Sequence, residues 1–87
     1  MEEKNKSIEY IIDDNYREDY ANFANIATSP YDITIKFGKV IDSTNENIKI
    51  KLSEGIILSP KIAKELVELL NKNIEFYEKN FGEINKR

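Results

Sequence analysis

The stretch LSPKIAKELVELLNKNIEFYEKNFG, residues 58–82, constrains the fold more than any other part of this 87-residue chain. It predicts one long helix, because Ser59 suits the N-cap position and Pro60 suits the first helical position, where its missing N–H costs nothing. Gly82 indicates that the helix ends after Phe81. What the rest of the chain can form depends on which faces of this helix are apolar.

Two neighbouring apolar stripes run along the predicted helix, which turns by about 100° per residue. The first stripe comprises Ile62, Leu66, Leu69 and Phe76, with Asn73 in line. The second stripe comprises Ala63, Val67, Leu70, Ile74, Tyr77 and Phe81, at alternating spacings of four and three residues. Together the stripes cover about 180° of the helix, more than the ~100° or slightly wider face of an ordinary surface helix. The charged remainder is expected to face solvent.

Two alternating segments before the helix predict a β-hairpin around the Ser29-Pro30 turn. Residues 24–28 precede this turn and residues 33–37 follow it. A four-residue loop pairs Thr28 with Ile33, Ile26 with Ile35 and Ala24 with Phe37, all on one face.

A third alternating segment starts at Ile48 and continues to Leu58, with Ile50 and Leu52 on the same face as Ile48. We interpret it as one long strand that is bent or bulged at Gly55, the alternative being a tight turn over residues 53–55. The predicted fold is α+β: a three-stranded antiparallel meander with the second strand in the middle, followed by one long C-terminal amphipathic helix.

The wide apolar arc of the helix has two interpretations. In a monomer it would cover a broad sheet, whereas in an oligomer one stripe would cover the chain's own sheet and the other would contact a second subunit. Three strands and one helix make a thin core, and spacings of four and three are those of helix–helix packing. We therefore predict a homodimer or higher homo-oligomer with the second stripe at its interface. Because both stripes have similar spacing, the reverse assignment stays open.

The N-terminal end is strongly acidic, since residues 1–20 hold seven carboxylates against three basic side chains. We predict a flexible acidic segment at residues 1–18, one domain at 19–84 and a tail at 85–87. The apolar residues Ile8, Ile11 and Ile12 leave open that part of this segment docks on the domain or adds a strand.

Eight short motifs follow one another along residues 20–82. They are Tyr20-Ala21-Asn22, Ser29-Pro30, Phe37, Leu58-Ser59-Pro60, Ala63-Lys64, Asn73-Ile74, Tyr77-Glu78 and Phe81-Gly82. In these motifs the chain resembles a family of short bacterial and archaeal proteins of unknown function, over residues 20–84. It departs from that pattern at Lys36, where many members carry an acidic residue, and in the loop at residues 41–46. The resemblance implies no activity, cofactor or catalytic residue.

The composition excludes several kinds of chemistry. The chain has no cysteine and no histidine, so thiolate sites and His-based acid–base sites are excluded and a zinc site is not expected. The acidic stretch DDNYRED, residues 13–19, lacks the glycine of a calcium loop. We therefore predict no enzymatic activity, no metal site and no cofactor. No signal peptide and no run of ~20 apolar residues is found, so we expect a cytoplasmic protein without a membrane span.

The remaining function classes are protein binding and nucleic-acid binding. Lys36, Lys49 and Lys51 are predicted on the sheet face away from the helix, where a basic two-stranded ribbon would suit a DNA groove. The net charge of −3 opposes this alternative. We therefore favour a non-catalytic homo-oligomeric interaction or scaffold module, whose partners are itself and another protein or peptide.

We expect a chain that begins near Asp19 to keep its sheet and helix, because residues 1–18 show no sustained apolar period. The far-UV circular dichroism spectrum of the truncated chain should match the full-length spectrum once the absent residues are subtracted. Loss of the fold would instead mean that Ile8, Ile11 and Ile12 are structural.

Overall fold

The computed structural model describes residues 6–85 and contains three strands and one helix. The elements are β1 (Phe23–Thr28), β2 (Ile33–Ser43), β3 (Ile48–Leu58) and α1 (Pro60–Phe81). The strands pair antiparallel in the order β1-β2-β3, so that β2 is the central strand. The predicted α+β meander followed by a C-terminal helix is confirmed.

The β1–β2 hairpin has the predicted register, with Thr28 opposite Ile33, Ile26 opposite Ile35 and Ala24 opposite Phe37. Its loop is held by Ser29, whose Oγ accepts the N–H groups of Tyr31 and Asp32 at 3.1 Å each. The same hydroxyl donates to the Asp32 carboxylate at 3.0 Å. The serine before the proline therefore closes the turn with its side chain, as such residues commonly do.

A β-bulge interrupts β3 at Ser53, two residues before the predicted position at Gly55. Phe37 lies opposite Glu54 and Gly38 lies opposite Leu52, which leaves Ser53 as an extra residue. The Ser53 hydroxyl donates to the Phe37 carbonyl across the strands at 3.4 Å. Gly55 pairs regularly with Lys36, so neither the bulge at Gly55 nor the alternative turn there is formed.

The bulge switches the face on which the side chains of β3 lie. Because of the one extra residue, the residues before Ser53 lie on the opposite face from the one that regular alternation would give them. We call the face toward α1 the cleft face; its members in β1 and β2 are Ala24, Ile26, Thr28, Ile33, Ile35 and Phe37. Ile50 and Leu52, which precede the bulge in β3, lie on the other face, here called the reverse face. A second extra residue, Ile41 in β2, follows toward the far end of the sheet.

The helix begins and ends where its sequence predicts. Ser59 caps the start, since its Oγ accepts the N–H of Ile62 at 3.3 Å and its carbonyl accepts the N–H of Ala63 at 3.0 Å. Gly82 ends the helix with a φ of 112°, a left-handed value that favours glycine, and its N–H bonds the Glu78 carbonyl at 3.1 Å.

The isolated chain buries little of its apolar surface. Ala63 is the one buried hydrophobic residue among residues 6–85. The accessible surface is 8780 Å², some 3,500 Å² above the ~5,300 Å² of a compact monomer of this mass. Its radius of gyration is 17.5 Å, against ~12 Å for a compact domain of this length. Part of the excess comes from residues 6–22, which lie outside the strands.

We expect Gly38→Ala to destabilise the fold by about 1–3 kcal/mol, because a Cβ there would lie 2.5 Å from the Lys51 carbonyl oxygen. Gly55→Ala is the matched control, since its Cβ would meet nothing nearer than the Ile35 carbonyl at 3.9 Å. Urea unfolding of both variants at one fixed protein concentration should separate their midpoints. Equal midpoints would show that the bulge tolerates a side chain.

Candidate interaction surface

An apolar cleft of about 470 Å³ lies between the cleft face of the sheet and the N-terminal half of α1. The sheet contributes the cleft-face side chains, and the helix contributes Pro60, Ala63, Lys64, Leu66, Val67 and Leu70. Lys64 supplies the only charged side chain in this lining. The helix therefore stands beside the sheet without closing onto it, and the open space is suited to apolar side chains.

The cleft draws on both helix stripes. Ala63, Val67 and Leu70 of the second stripe line it together with Leu66 of the first stripe. Other first-stripe members lie outside the cleft and are exposed; they are Ile62, Leu69 and Phe76. The structure therefore does not reproduce the predicted division, in which the first stripe alone covers the chain's own sheet. The helix is turned so that the second stripe faces the cleft with Leu66 at its margin, which corresponds to the reverse assignment.

The C-terminal half of α1 extends past the cleft with its apolar residues exposed. Ile74, Tyr77 and Phe81, the remaining members of the predicted interface, all belong to this part. The Tyr77 and Phe81 rings contact one another, with centroids 5.1 Å apart and planes tilted by 50°. Asn73 donates its amide to the Leu69 carbonyl at 2.8 Å, so this polar residue within the apolar arc has a partner in its own helix.

Residues 17–22 are attached to the sheet by side chains. Asn22 extends the β1–β2 ladder, since its Oδ1 accepts the Val40 N–H at 2.9 Å. The Asp19 carboxylate accepts from the Lys39 ammonium at 3.4 Å, and Arg17 approaches Glu54 at 4.0 Å. Glu54 and Lys39 both lie on the face of the sheet toward α1. Glu54 is paired with Phe37, which is on that face, and Lys39 is two residues after Phe37 in β2, so it is on the same face.

The pKa of Asp19 lies below its ordinary value. The main cause is the hydrogen bond from the Tyr20 backbone N–H, and the Lys39 ammonium lowers the pKa further. The pKa of Tyr16 is raised, chiefly because its hydroxyl donates to the Glu18 carboxylate. Both groups are exposed, so the shifts arise mainly from these local hydrogen bonds.

The three lysines of the predicted nucleic-acid face are not brought together. Lys51 lies opposite Lys39, which is three residues from Lys36 on the same strand, so Lys36 and Lys51 point to opposite faces. Lys49 shares the face of Lys51. The reason is the bulge in β3, whose extra residue sends Lys49 and Lys51 to the face opposite Lys36, a reversal that the predicted placement of the lysines did not include. A single basic ribbon is therefore not formed in this chain.

The described part of the chain has neither a cluster of metal-ligand side chains nor a membrane-spanning helix. Within residues 6–85, acidic side chains do not gather in a group of three that could hold a metal ion. In the same residues, no helix has the length and apolar character needed to cross a membrane.

One protein family matches the chain, over residues 1–86; it is described as "Protein of unknown function (DUF3467)". The resemblance seen in the sequence motifs is confirmed, and the match includes the acidic N-terminal segment that lay outside those motifs. No curated protein and no solved structure matches the chain.

We expect the Asp19 carboxyl to titrate below the ordinary aspartate pKa of about 3.9. Because the pKa is lower in the folded state than in the unfolded state, the ionised carboxylate stabilises the folded contact above about pH 4. This stabilisation is lost as the pH falls through the folded-state pKa. The attachment of residues 17–22 should therefore weaken in acid. NMR titration of the side-chain carboxyl carbon measures the pKa directly.

The matched pair for this titration is Lys39→Met and Lys51→Met, which remove the same charge from cross-strand neighbours. Lys39→Met should return the Asp19 pKa part of the way to its ordinary value, because the Tyr20 hydrogen bond remains. Equal effects of the two variants would reduce the Lys39 contact to a general charge effect.

Proposed function

This chain belongs to the DUF3467 family, whose function is unknown, and we propose that it is a non-catalytic protein-interaction or scaffold module that assembles with itself. The observation that carries the proposal is the missing core. Ala63 alone among the hydrophobic residues of the described chain is buried, although 40% of the sequence is hydrophobic. Burial of apolar surface is the main favourable contribution to folding, so contact with a second copy would supply the burial that the isolated chain lacks.

The occupant that best fits the cleft is helix α1 of a second copy. The cleft has apolar walls on both sides, and helices pack at interaxial distances of about 8–10 Å once apolar side chains interdigitate. The C-terminal half of α1 offers a matching apolar surface in Ile74, Tyr77 and Phe81. A two-fold exchange, in which each helix enters the partner's cleft, would use the same surface on both copies.

The surface area supports an interface of the obligate class. Such interfaces bury about 2,000–5,000 Å² in total, or about 1,000–2,500 Å² from each chain. This amount accounts for a large part of the excess surface of the isolated chain. The predicted interface residues Ala63, Val67, Leu70, Ile74, Tyr77 and Phe81 then lie at or beside the helix-in-cleft contact.

The wider role of the module is to bind another protein or peptide. The outer edges of β1 and β3 have no neighbouring strand in the described chain, and such edges can accept a strand of a partner. Nucleic-acid binding gains no support, because Lys36 is on the opposite face from Lys49 and Lys51. A cytoplasmic location stays a prediction from the sequence.

We expect the wild-type chain to be a dimer or larger species at about 10–50 µM, and its urea midpoint to rise with protein concentration. Leu70→Glu combined with Ile74→Lys should abolish this assembly, because it places charges on the proposed helix interface. Light scattering coupled to size-exclusion chromatography measures the mass. Glu68→Lys with Lys72→Glu is the control, since it exchanges two exposed charges on the same helix.

A wild type that is monomeric in this range would refute the assembly. A double variant that keeps the wild-type mass would place the interface elsewhere, with the sheet edges as the next surface to test. If the control also dissociates, the helix is sensitive to any charge change and the interface assignment fails.

A further inference from the structure

A second apolar surface lies on the reverse face of the sheet, where α1 cannot reach it. Its side chains are Phe23, Val40, Ile50 and Leu52, which we call the reverse patch. Phe23, Ile50 and Leu52 line a depression of about 320 Å³ together with Asn25 and Lys36. Leu52 is 55% exposed and Val40 is 40% exposed, so this surface is open in the isolated chain.

The reverse patch exists because of the Ser53 bulge. Without the extra residue, Leu52 would lie on the same face as Ile56 and would add to the cleft. Helix pairing in the cleft therefore leaves the reverse patch uncovered. Contiguous apolar patches of this kind are uncommon on the free surface of soluble proteins and usually mark a contact site.

The chain also carries a segment with matching chemistry, SIEYIIDD, residues 7–14. Its apolar side chains Ile8, Tyr10, Ile11 and Ile12 are 75–87% exposed. Glu9 lies within this apolar run, and Asp13 and Asp14 follow it. The segment thus combines an apolar surface with negative charge, whereas the reverse patch combines an apolar surface with the cation of Lys36.

The segment of the same chain does not lie on its own reverse patch. Arg17 and Asp19 attach the following residues to Glu54 and Lys39, which face the side of the sheet occupied by α1. From there the segment leads away with its apolar side chains exposed. The segment and the reverse patch therefore do not contact each other within one copy.

We propose that the reverse patch binds residues 7–14 of a second copy of the chain. Ile8, Ile11 and Ile12 contact Phe23, Ile50 and Leu52, and the acidic residues of the segment approach Lys36. The five residues from Ile8 to Ile12 are long enough to reach neighbouring strands of the sheet, which lie about 4.8 Å apart. Because no residue of α1 takes part, this contact does not depend on the helix-in-cleft interface and can link helix-paired units to one another.

The absence of cysteine allows a direct test by disulfide cross-linking in the full-length chain. Ile11→Cys and Leu52→Cys are prepared as separate variants with tags of different mass, mixed and oxidised. Non-reducing electrophoresis then identifies the mixed dimer by its mass. The matched control replaces Leu52→Cys by Lys51→Cys, the adjacent residue on the opposite face.

The mixed cross-link should form about tenfold faster with Leu52→Cys than with Lys51→Cys, because docking raises the effective concentration of the two thiols. Lys36→Glu in the Leu52→Cys chain should slow the reaction, and Glu9→Lys with Asp13→Lys in the Ile11→Cys chain should restore it. Equal rates for the two sheet positions, or no mixed cross-link, would overturn the proposal.

A cross-link that forms only when both cysteines are in one chain would also overturn it, since the segment would then cover its own patch. These outcomes are separate from the mass of the helix variants. The helix-in-cleft contact can fail while the cross-link forms, and the reverse is equally distinguishable.

Discussion

The β-bulge at Ser53 determines where the apolar side chains of this sheet can be used. Between the bulge and the Ser29-Pro30 turn, the sheet presents Ile33, Ile35 and Phe37 to the helix. On the far side of the bulge, Ile50 and Leu52 face away from the helix. Gly38 makes this possible, because β3 approaches so closely there that a Cβ would meet the Lys51 carbonyl oxygen. One extra residue thus divides a small sheet into two apolar surfaces of opposite direction.

This division means that one helix cannot cover both apolar surfaces of the sheet. A helix covers one side of a sheet, so the far half would stay exposed even if α1 closed the cleft completely. The chain has too few residues to add another layer of its own, which small domains otherwise replace with disulfides or metals. The sequence has no cysteine and no histidine, and in the proposed assembly further copies would cover these surfaces instead.

Much of the architecture could be predicted from the sequence, because it depends on local signals. The two Ser-Pro pairs act through their own side chains, as Ser29 does in the turn and Ser59 does at the helix N-cap. The hairpin register follows from alternation on both sides of a loop of known length. Gly82 ends α1 because its left-handed φ favours glycine.

The bulge and the faces that depend on it could not be predicted in the same way. Gly55 is the conspicuous irregular residue in β3, yet the constraint is Gly38 on the neighbouring strand, whose role is visible only once the strands are paired. An extra residue anywhere between Leu52 and Ile56 reverses the faces, but the sequence interpretation applied no reversal and so put Lys36 on the same face as Lys49 and Lys51. The rotation of α1 was equally hidden, because two adjacent stripes of similar spacing leave the facing direction undetermined until helix and sheet are seen together.

The exposure of most large apolar side chains of the described chain in a single copy has a consequence for the protein in a cell. On the proposed assembly, a newly made chain reaches a protected state only by meeting another, so the formation of folded protein is a second-order process. Until then its apolar strands and helix are accessible to proteases and chaperones, which act on unfolded and partly folded chains. The amount of intact protein would therefore rise more steeply than the rate of synthesis. Below a threshold rate of synthesis, little intact protein would accumulate.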